Sequence, residues 1–139
     1  MGQSMRFFAD AALPLDAIKK GLSGEDASFK IDGGELSRGG QLLAEIEINR
    51  PGSDLFDDEI AGTVSKLQYF VSAGSAGNAP QVIQRVQGTQ AVLAVQMLDP
   101  NAMELLGPFW TVLSRLANGL WEIEGQGFYD QGQLVVPMS

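Results

Sequence analysis

The chain has 139 residues, 45% hydrophobic and 19% charged, a composition typical of a globular domain and not of a disordered chain. Its 17 acidic and nine basic side chains leave a net charge of −8, which argues against binding to nucleic acid or an anionic membrane, because both need clustered lysine and arginine. Neither histidine nor cysteine occurs, which excludes disulfides, imidazole or thiolate metal ligands and the Ser-His and Cys-His catalytic pairs within one chain.

The first 50 residues predict strands and one short helix. Residues 5–9 predict a first strand, and Pro14 suits the first turn of a helix that we expect Gly21 and the segment 23–26 to close. The segment 32–34, Asp-Gly-Gly, is a tight-turn sequence, and alternation along residues 42–49 predicts a strand with one polar face. The residues expected on its apolar face are Leu42, Ala44, Ile46 and Ile48, and those on its other face are Leu43, Glu45, Glu47 and Asn49.

A long helix is predicted next. Ser53 or Asp54 is placed to cap it, and apolar residues at intervals of three or four continue to about residue 73. Residues 74–80 are predicted to form a loop. Residues 80–87 fit either a short helix or a strand, and the sequence leaves both open.

The C-terminal part predicts a central strand, a helix and two further strands. Residues 91–98 are apolar on both sides, which is typical of a strand in the middle of a sheet. Pro100 suits the first turn of the last helix, which Pro108 is expected to kink or split. Residues 120–124 and 133–136 predict the last two strands.

These elements predict a single α+β domain over residues 1–139. The expected architecture is one mostly antiparallel sheet with the two long helices packed on one face, ferredoxin-like in spirit, with the strand order left open. Residues 89–98 and 109–130 together resemble the C-terminal half of a family of small bacterial proteins of uncharacterised function. The resemblance implies a bacterial protein and assigns no functional residue.

Two conspicuous segments receive structural interpretations. Gly125-Gln126-Gly127 lacks the third glycine and the following helix of a dinucleotide fingerprint, since residue 130 is aspartate, so a bend in the sheet is predicted. Four acidic residues begin the long helix, where the helix dipole favours negative charge, and we interpret them as capping and not as a calcium or magnesium site. They are Asp54, Asp57, Asp58 and Glu59.

Two pairs of glutamates are the main candidates for recognition. Glu45 and Glu47, like Glu122 and Glu124, are two residues apart on a predicted strand, so each pair projects from one face of the sheet. We expect all four carboxylates to be hydrated and ionised. A glycosidase would instead need two carboxylates about 5–10 Å apart, one of them with a raised pKa. Among the aromatic residues, Trp110 falls beside its helical stripe and is the candidate anchor of an interface.

The sequence therefore predicts a non-catalytic, cytoplasmic protein-binding module whose acidic surface docks another protein, for which a basic partner is the best electrostatic match. A bacterial immunity protein, which inhibits a basic toxin, would fit this description, but only by analogy of fold and charge. No cofactor and no metal ligand is assigned, and self-association stays compatible with the pattern. Two alternatives remain open: a hydrolase that depends on carboxylates such as Asp57 and Asp58 or on a divalent metal, and a small-molecule sensor with an apolar pocket.

Overall fold

One antiparallel sheet of eight strands organises the computed structural model, which describes residues 3–72 and 78–137. The strands are β1 (Ser4–Ala9), β2 (Phe29–Asp32), β3 (Glu35–Arg38), β4 (Gln41–Asn49), β5 (Ala91–Met97), β6 (Gly119–Ile123), β7 (Gly127–Asp130) and β8 (Gln133–Pro137). The helices are α1 (Leu15–Glu25), α2 (Asp54–Ser72), α3 (Ala79–Gln87), α4 (Ala102–Leu105) and α5 (Gly107–Leu116). The strand order is β2-β3-β4-β5-β1-β6-β7-β8, and each described pair is antiparallel. The α+β class and the antiparallel sheet are thus confirmed.

Helices cover both faces of this sheet. Phe7 and Phe8 follow each other in β1 and so point to opposite faces, and both are buried. Phe7 shares a core with Phe109 of α5, whereas Phe8 shares a second core with Leu67 of α2. The expectation that the long helices lie on one face is therefore wrong, because strands that are apolar on both sides need cover on both. The ferredoxin-like comparison is not confirmed.

Two-residue glycine turns connect β2, β3 and β4. Gly33 and Gly34 have φ angles of +58° and +86°, and the turn between β3 and β4 repeats this conformation. Both central residues of such a turn need positive φ, which glycine adopts without strain. The turn predicted at residues 32–34 is confirmed, and it places Asp32 directly opposite Glu35.

A β-bulge in β4 decides which leucine is buried. Leu36 pairs with Ala44 but Ser37 pairs with Leu42, so Leu43 is the extra residue. Leu43 is consequently buried beside Ala44, and Leu42 is 39% exposed. The predicted alternation is wrong at these two leucines because a bulge adds one residue to the strand, and it holds beyond the bulge.

Several predicted boundaries are confirmed. The amide of Phe56 donates to Oγ of Ser53 at 3.2 Å, which makes Ser53 the cap of α2. Of the helix and the strand that the sequence left open for residues 80–87, the structure has the helix, and the predicted split of the last helix is found at Leu106, two residues before Pro108. Of the loop predicted at 74–80, residues 74–77 lie outside the described residues. None of the helices in the described ranges has the length and apolarity needed to cross a membrane.

The glycines of the C-terminal region serve a hairpin that the sequence did not predict in full. Gly125 lies in the turn between β6 and β7 with a φ of +78°. A Cβ atom on Gly127 would lie 2.1 Å from the carbonyl oxygen of Val136, so the backbones of β7 and β8 approach too closely for a side chain there. The predicted bend is confirmed, and β7 is an additional strand.

Helix α1 ends at Glu25, within the segment 23–26 predicted to close it, and Gly21 lies inside the helix. A Cβ atom on Gly21 would lie 2.9 Å from Cγ1 of Val112 in α5. The glycine therefore allows the two helices to approach closely without ending the helix that contains it.

Gly21→Ala should lower the free energy of unfolding by about 1–2 kcal/mol, because overpacking against Val112 outweighs the better helix propensity of alanine. In a Val112→Ala background the same change should be neutral or stabilising by up to about 1 kcal/mol. Urea unfolding of the unsubstituted protein, the two single variants and the double variant measures the coupling energy between residues 21 and 112. A destabilisation of equal size in both backgrounds would contradict the close contact.

Candidate functional site

The strand order places both glutamate pairs on the same face of the sheet. Along one row Glu47 pairs with Ala94, Ala94 with Arg6, and Arg6 with Glu122. This is the face of α2 and α3, since Glu122 also pairs with Phe128 of the second core. With β5 and β1 between them, the two pairs are about 14 Å apart at roughly 4.8 Å per strand. That separation exceeds the one a glycosidase needs.

Glu122 is buried, with an exposure of 4%. One of its carboxylate oxygens accepts a hydrogen bond from Nζ of Lys66 at 2.7 Å, and the other accepts one from Nη1 of Arg6 at 3.4 Å. The expectation of a hydrated carboxylate is therefore wrong at this position, because α2 carries Lys66 across β6. With both oxygens engaged by cations, Glu122 anchors α2 to the sheet, and its charge is compensated within the chain.

Arg6 extends this contact into an ionic network. Its Nε donates to Glu59 of α2 at 3.0 Å. The side-chain amide of Asn49 donates to Glu59 and, at 3.0 Å, to Glu47. The ionic network thus consists of Glu47, Asn49, Glu59, Arg6, Glu122 and Lys66. Glu59 was interpreted as capping alone, and that interpretation is incomplete because its carboxylate also ties the helix to β1 and β4.

A shallow groove is lined in part by three members of the ionic network, Arg6, Lys66 and Glu122. A pocket of about 560 Å³ is bounded by β1, β6 and α2, and Glu124 lies exposed at its rim. A second depression of about 250 Å³ continues from it over β5 and β4 as far as Glu45. The two share Ser4, Met5 and Arg6. The groove therefore leads from the part of this face that α2 and α3 cover to a part that no described helix covers.

The uncovered part, which we name the open face, is the side of β2, β3, β4 and the end of β5 that points away from α1 and α5. The second core takes its described sheet residues from the other strands and from Val92 at the start of β5. No residue of β2, β3 or β4 belongs to that core in the described part of the chain. Apart from Asn49 at the end of β4, which is buried beside Glu59 of α2, these strands consequently present one side to solvent.

Three carboxylates lie side by side on the open face. Asp32 pairs with Glu35 across β2 and β3, and Glu35 pairs with Glu45 across β3 and β4. Directly paired residues share a face, so these three residues form one line across three strands, which we name the acidic row. All three are exposed. The line continues with neutral residues, Gln96 and Ser4.

No cation within residues 3–72 and 78–137 forms an ion pair with the acidic row, although Lys30 shares the open face two residues before Asp32 on β2. None of its three side chains forms an ion pair or a hydrogen bond with a described residue. Like charges placed directly opposite each other on neighbouring strands are destabilising. The free protein therefore keeps an arrangement that costs stability.

Sequence reasoning found Glu45 but missed Asp32 and Glu35. The signal was present, since the two residues flank the two-residue turn Gly33-Gly34, and such a turn sets its flanking residues opposite each other. Glu45 could not have been added to them from the sequence, because the bulge at Leu43 shifts the register by one residue.

Trp110 lies on the opposite side of the sheet from the acidic row. Its indole Nε1 donates to the carbonyl of Met103 at 3.0 Å, and its ring meets Trp121 edge-on at a centroid distance of 5.2 Å. It is half-buried and packs against the core under α1 and α5. The structure does not bring this predicted anchor together with the glutamates.

The candidate site is thus the acidic row on the open face, with Glu47 and Glu124 at its margins. Among the described residues, no group of three or more acidic side chains is placed to hold a metal ion. Comparison of the chain with protein-family models, with curated proteins and with solved structures finds no match.

Proposed function

We propose that the protein is a non-catalytic binding module whose open face docks a basic segment of another protein. The acidic row carries this proposal, because three exposed carboxylates stand next to each other with no cation of the described chain between them. Lysine or arginine side chains of a partner relieve this repulsion when they lie over the row. Docking therefore removes the repulsion between the three carboxylates that destabilises the unbound sheet, and this gain favours binding.

The overall charge supports the same kind of partner. A net charge of −8 speeds the approach of a basic protein and repels the phosphates of nucleic acids and anionic lipids. Association of this kind weakens as salt is added, since exposed charges are screened. The proposal includes a cytoplasmic location, with which the absence of cysteine is compatible.

The proposal predicts that Asp32→Asn/Glu35→Gln/Glu45→Gln lowers the affinity for a short lysine-rich peptide about 10-fold. Three exposed ion pairs at roughly 0.5 kcal/mol each amount to such a factor. Fluorescence anisotropy with the labelled peptide at low salt measures the dissociation constant. Amide chemical shifts in the unsubstituted protein should change in β2, β3 and β4 during the same titration.

The matched control is Asp10→Asn/Asp58→Asn/Glu104→Gln, which also removes three exposed negative charges but leaves the acidic row intact. We expect it to bind the peptide within about 2-fold of the unsubstituted protein at equal salt. In the absence of peptide, the row variant should be more stable by about 0.5–1 kcal/mol, because cross-strand repulsion is removed. Equal weakening in both variants would show that only net charge matters and would contradict a docking site.

A further inference from the structure

We infer that the docked segment is an α-helix that lies across β2, β3 and β4 and presents one basic side chain per turn to the acidic row. This inference rests on the proposed docking function and adds the conformation and the residue spacing of the partner. Three features of the open face carry it: the spacing of the carboxylates, two exposed leucines beside them, and the neutral residues where the row ends.

The spacing of the acidic row matches a helix. Its members belong to adjacent strands, so neighbouring carboxylates are about 5 Å apart and the row spans about 10 Å. A helix rises 5.4 Å per turn, so residues i, i+4 and i+7 of one helix face span about 10.5 Å. An extended segment places side chains on one face about every 6.6 Å, so its third side chain overshoots the row by about 3 Å.

Two exposed leucines border the acidic row on the open face. Leu42 pairs with Ser37, which points away from buried Leu36 and so shares the face of Glu35. Leu98 follows β5, and its amide donates to the carbonyl of Leu43 at 2.9 Å, which keeps it next to β4. Leu42 is 39% exposed and Leu98 41%. A helix with an apolar stripe beside its basic stripe buries these leucines while its cations reach the carboxylates.

The residues at the two ends of the site determine where the bound helix can carry basic residues. Beyond Glu45 the row continues with Gln96 and Ser4, whose Oγ donates to Oε1 of Gln96 at 2.6 Å. Lys30, which pairs with Ser37 in the row of Leu42, lies at the opposite end. The helix therefore needs basic residues over two turns, polar residues over β5, and no cation beside Lys30.

Three synthetic peptides of equal length and equal lysine content test the inference. One carries lysines at i, i+4 and i+7 with leucines on the adjacent stripe, one is an equally helical sequence with the lysines spread around the axis, and one alternates lysine with residues that favour strands. The striped helix should bind the unsubstituted protein at least about 10-fold more tightly than the other two. This advantage should vanish with Asp32→Asn/Glu35→Gln/Glu45→Gln. It should shrink by about 3-fold or more with Leu42→Ser/Leu98→Ser, since two partly exposed leucines lose contact.

The outcomes separate the inference from the function on which it rests. Equal affinity for all three peptides, lost with the row variant, would overturn the helix and retain docking of basic segments. Tighter binding of the alternating peptide would overturn the helix in favour of a strand. Binding that ignores the acidic row would overturn the proposed function itself. Circular dichroism of each variant confirms that it is folded, which we expect because every substituted side chain is exposed.

Discussion

Phe128→Ala should lower the free energy of unfolding by about 3–5 kcal/mol, one of the largest effects that we expect from a single substitution in this chain. Phe128 is fully buried on β7 and packs against Phe8 at a centroid distance of 6.2 Å, in the core under α2 and α3. Its removal leaves a cavity that the sheet, held by its hydrogen bonds, cannot close. Since domains of this size are stable by about 5–15 kcal/mol, a large share of the total would be lost.

Tyr129→Ala is the matched control for that substitution. Tyr129 is the next residue of β7, points to the other face, is partly exposed and donates from its hydroxyl to Oε1 of Gln126 at 2.8 Å. Its loss should cost about 1–2 kcal/mol, because less apolar surface is withdrawn from water. Urea unfolding followed by circular dichroism measures both variants. Equal losses would contradict the assignment of Phe128 to a closed core.

Glu122→Gln should lower the free energy of unfolding by about 1–3 kcal/mol. The amide keeps the volume of the side chain but removes the charge that Arg6 and Lys66 share across the sheet and α2. Losing one partner of a buried ion pair can cost more than this, but both cations are 44% exposed and water replaces part of what they lose. Thermal and urea unfolding measure the change.

Glu124→Gln is the control for this prediction, because it makes the same chemical change two residues further along the chain. Glu124 is exposed and forms no side-chain hydrogen bond with a described residue, so its variant should stay within about 0.5 kcal/mol of the unsubstituted protein. Glu122→Gln should also leave the binding of the lysine-rich peptide unchanged, because Glu122 is buried and is separated from the acidic row by β5 and β1. A stability loss shared equally by both variants would show that the ionic network contributes nothing specific.

Local chemistry determined the features that the sequence predicted correctly. The apolar run 91–98 identified β5 as a central strand, and it does lie between β4 and β1. Ser53 as a cap, the glycine turn after Asp32 and the split at Pro108 each depend on a few neighbouring residues. These signals act over one turn or one hairpin, so they can be recognised without knowing the fold.

Long-range pairing determined the features that the sequence did not predict. Nothing local indicates that β1 pairs with β5 and β6, which places Arg6 beside Glu122 and turns an apparently hydrated glutamate into a buried one. That helices cover both faces of the sheet could be inferred in part from the sequence. Phe7 and Phe8 are consecutive aromatic residues in a strand, so they point to opposite faces, and each face needs cover. The acidic row needed both the hairpin register and the bulge, and only the first can be deduced from sequence.

The central position of β1 has a consequence for how the chain folds. Both of its hydrogen-bonding partners, β5 and β6, lie far along the sequence, so β1 cannot be paired on either side until most of the chain has left the ribosome. Until then a strand with apolar side chains on both surfaces stays open to wrong partners. Closing such distant pairs is slow, so we expect β1 to be the strand most open to aggregation while the protein is being synthesised.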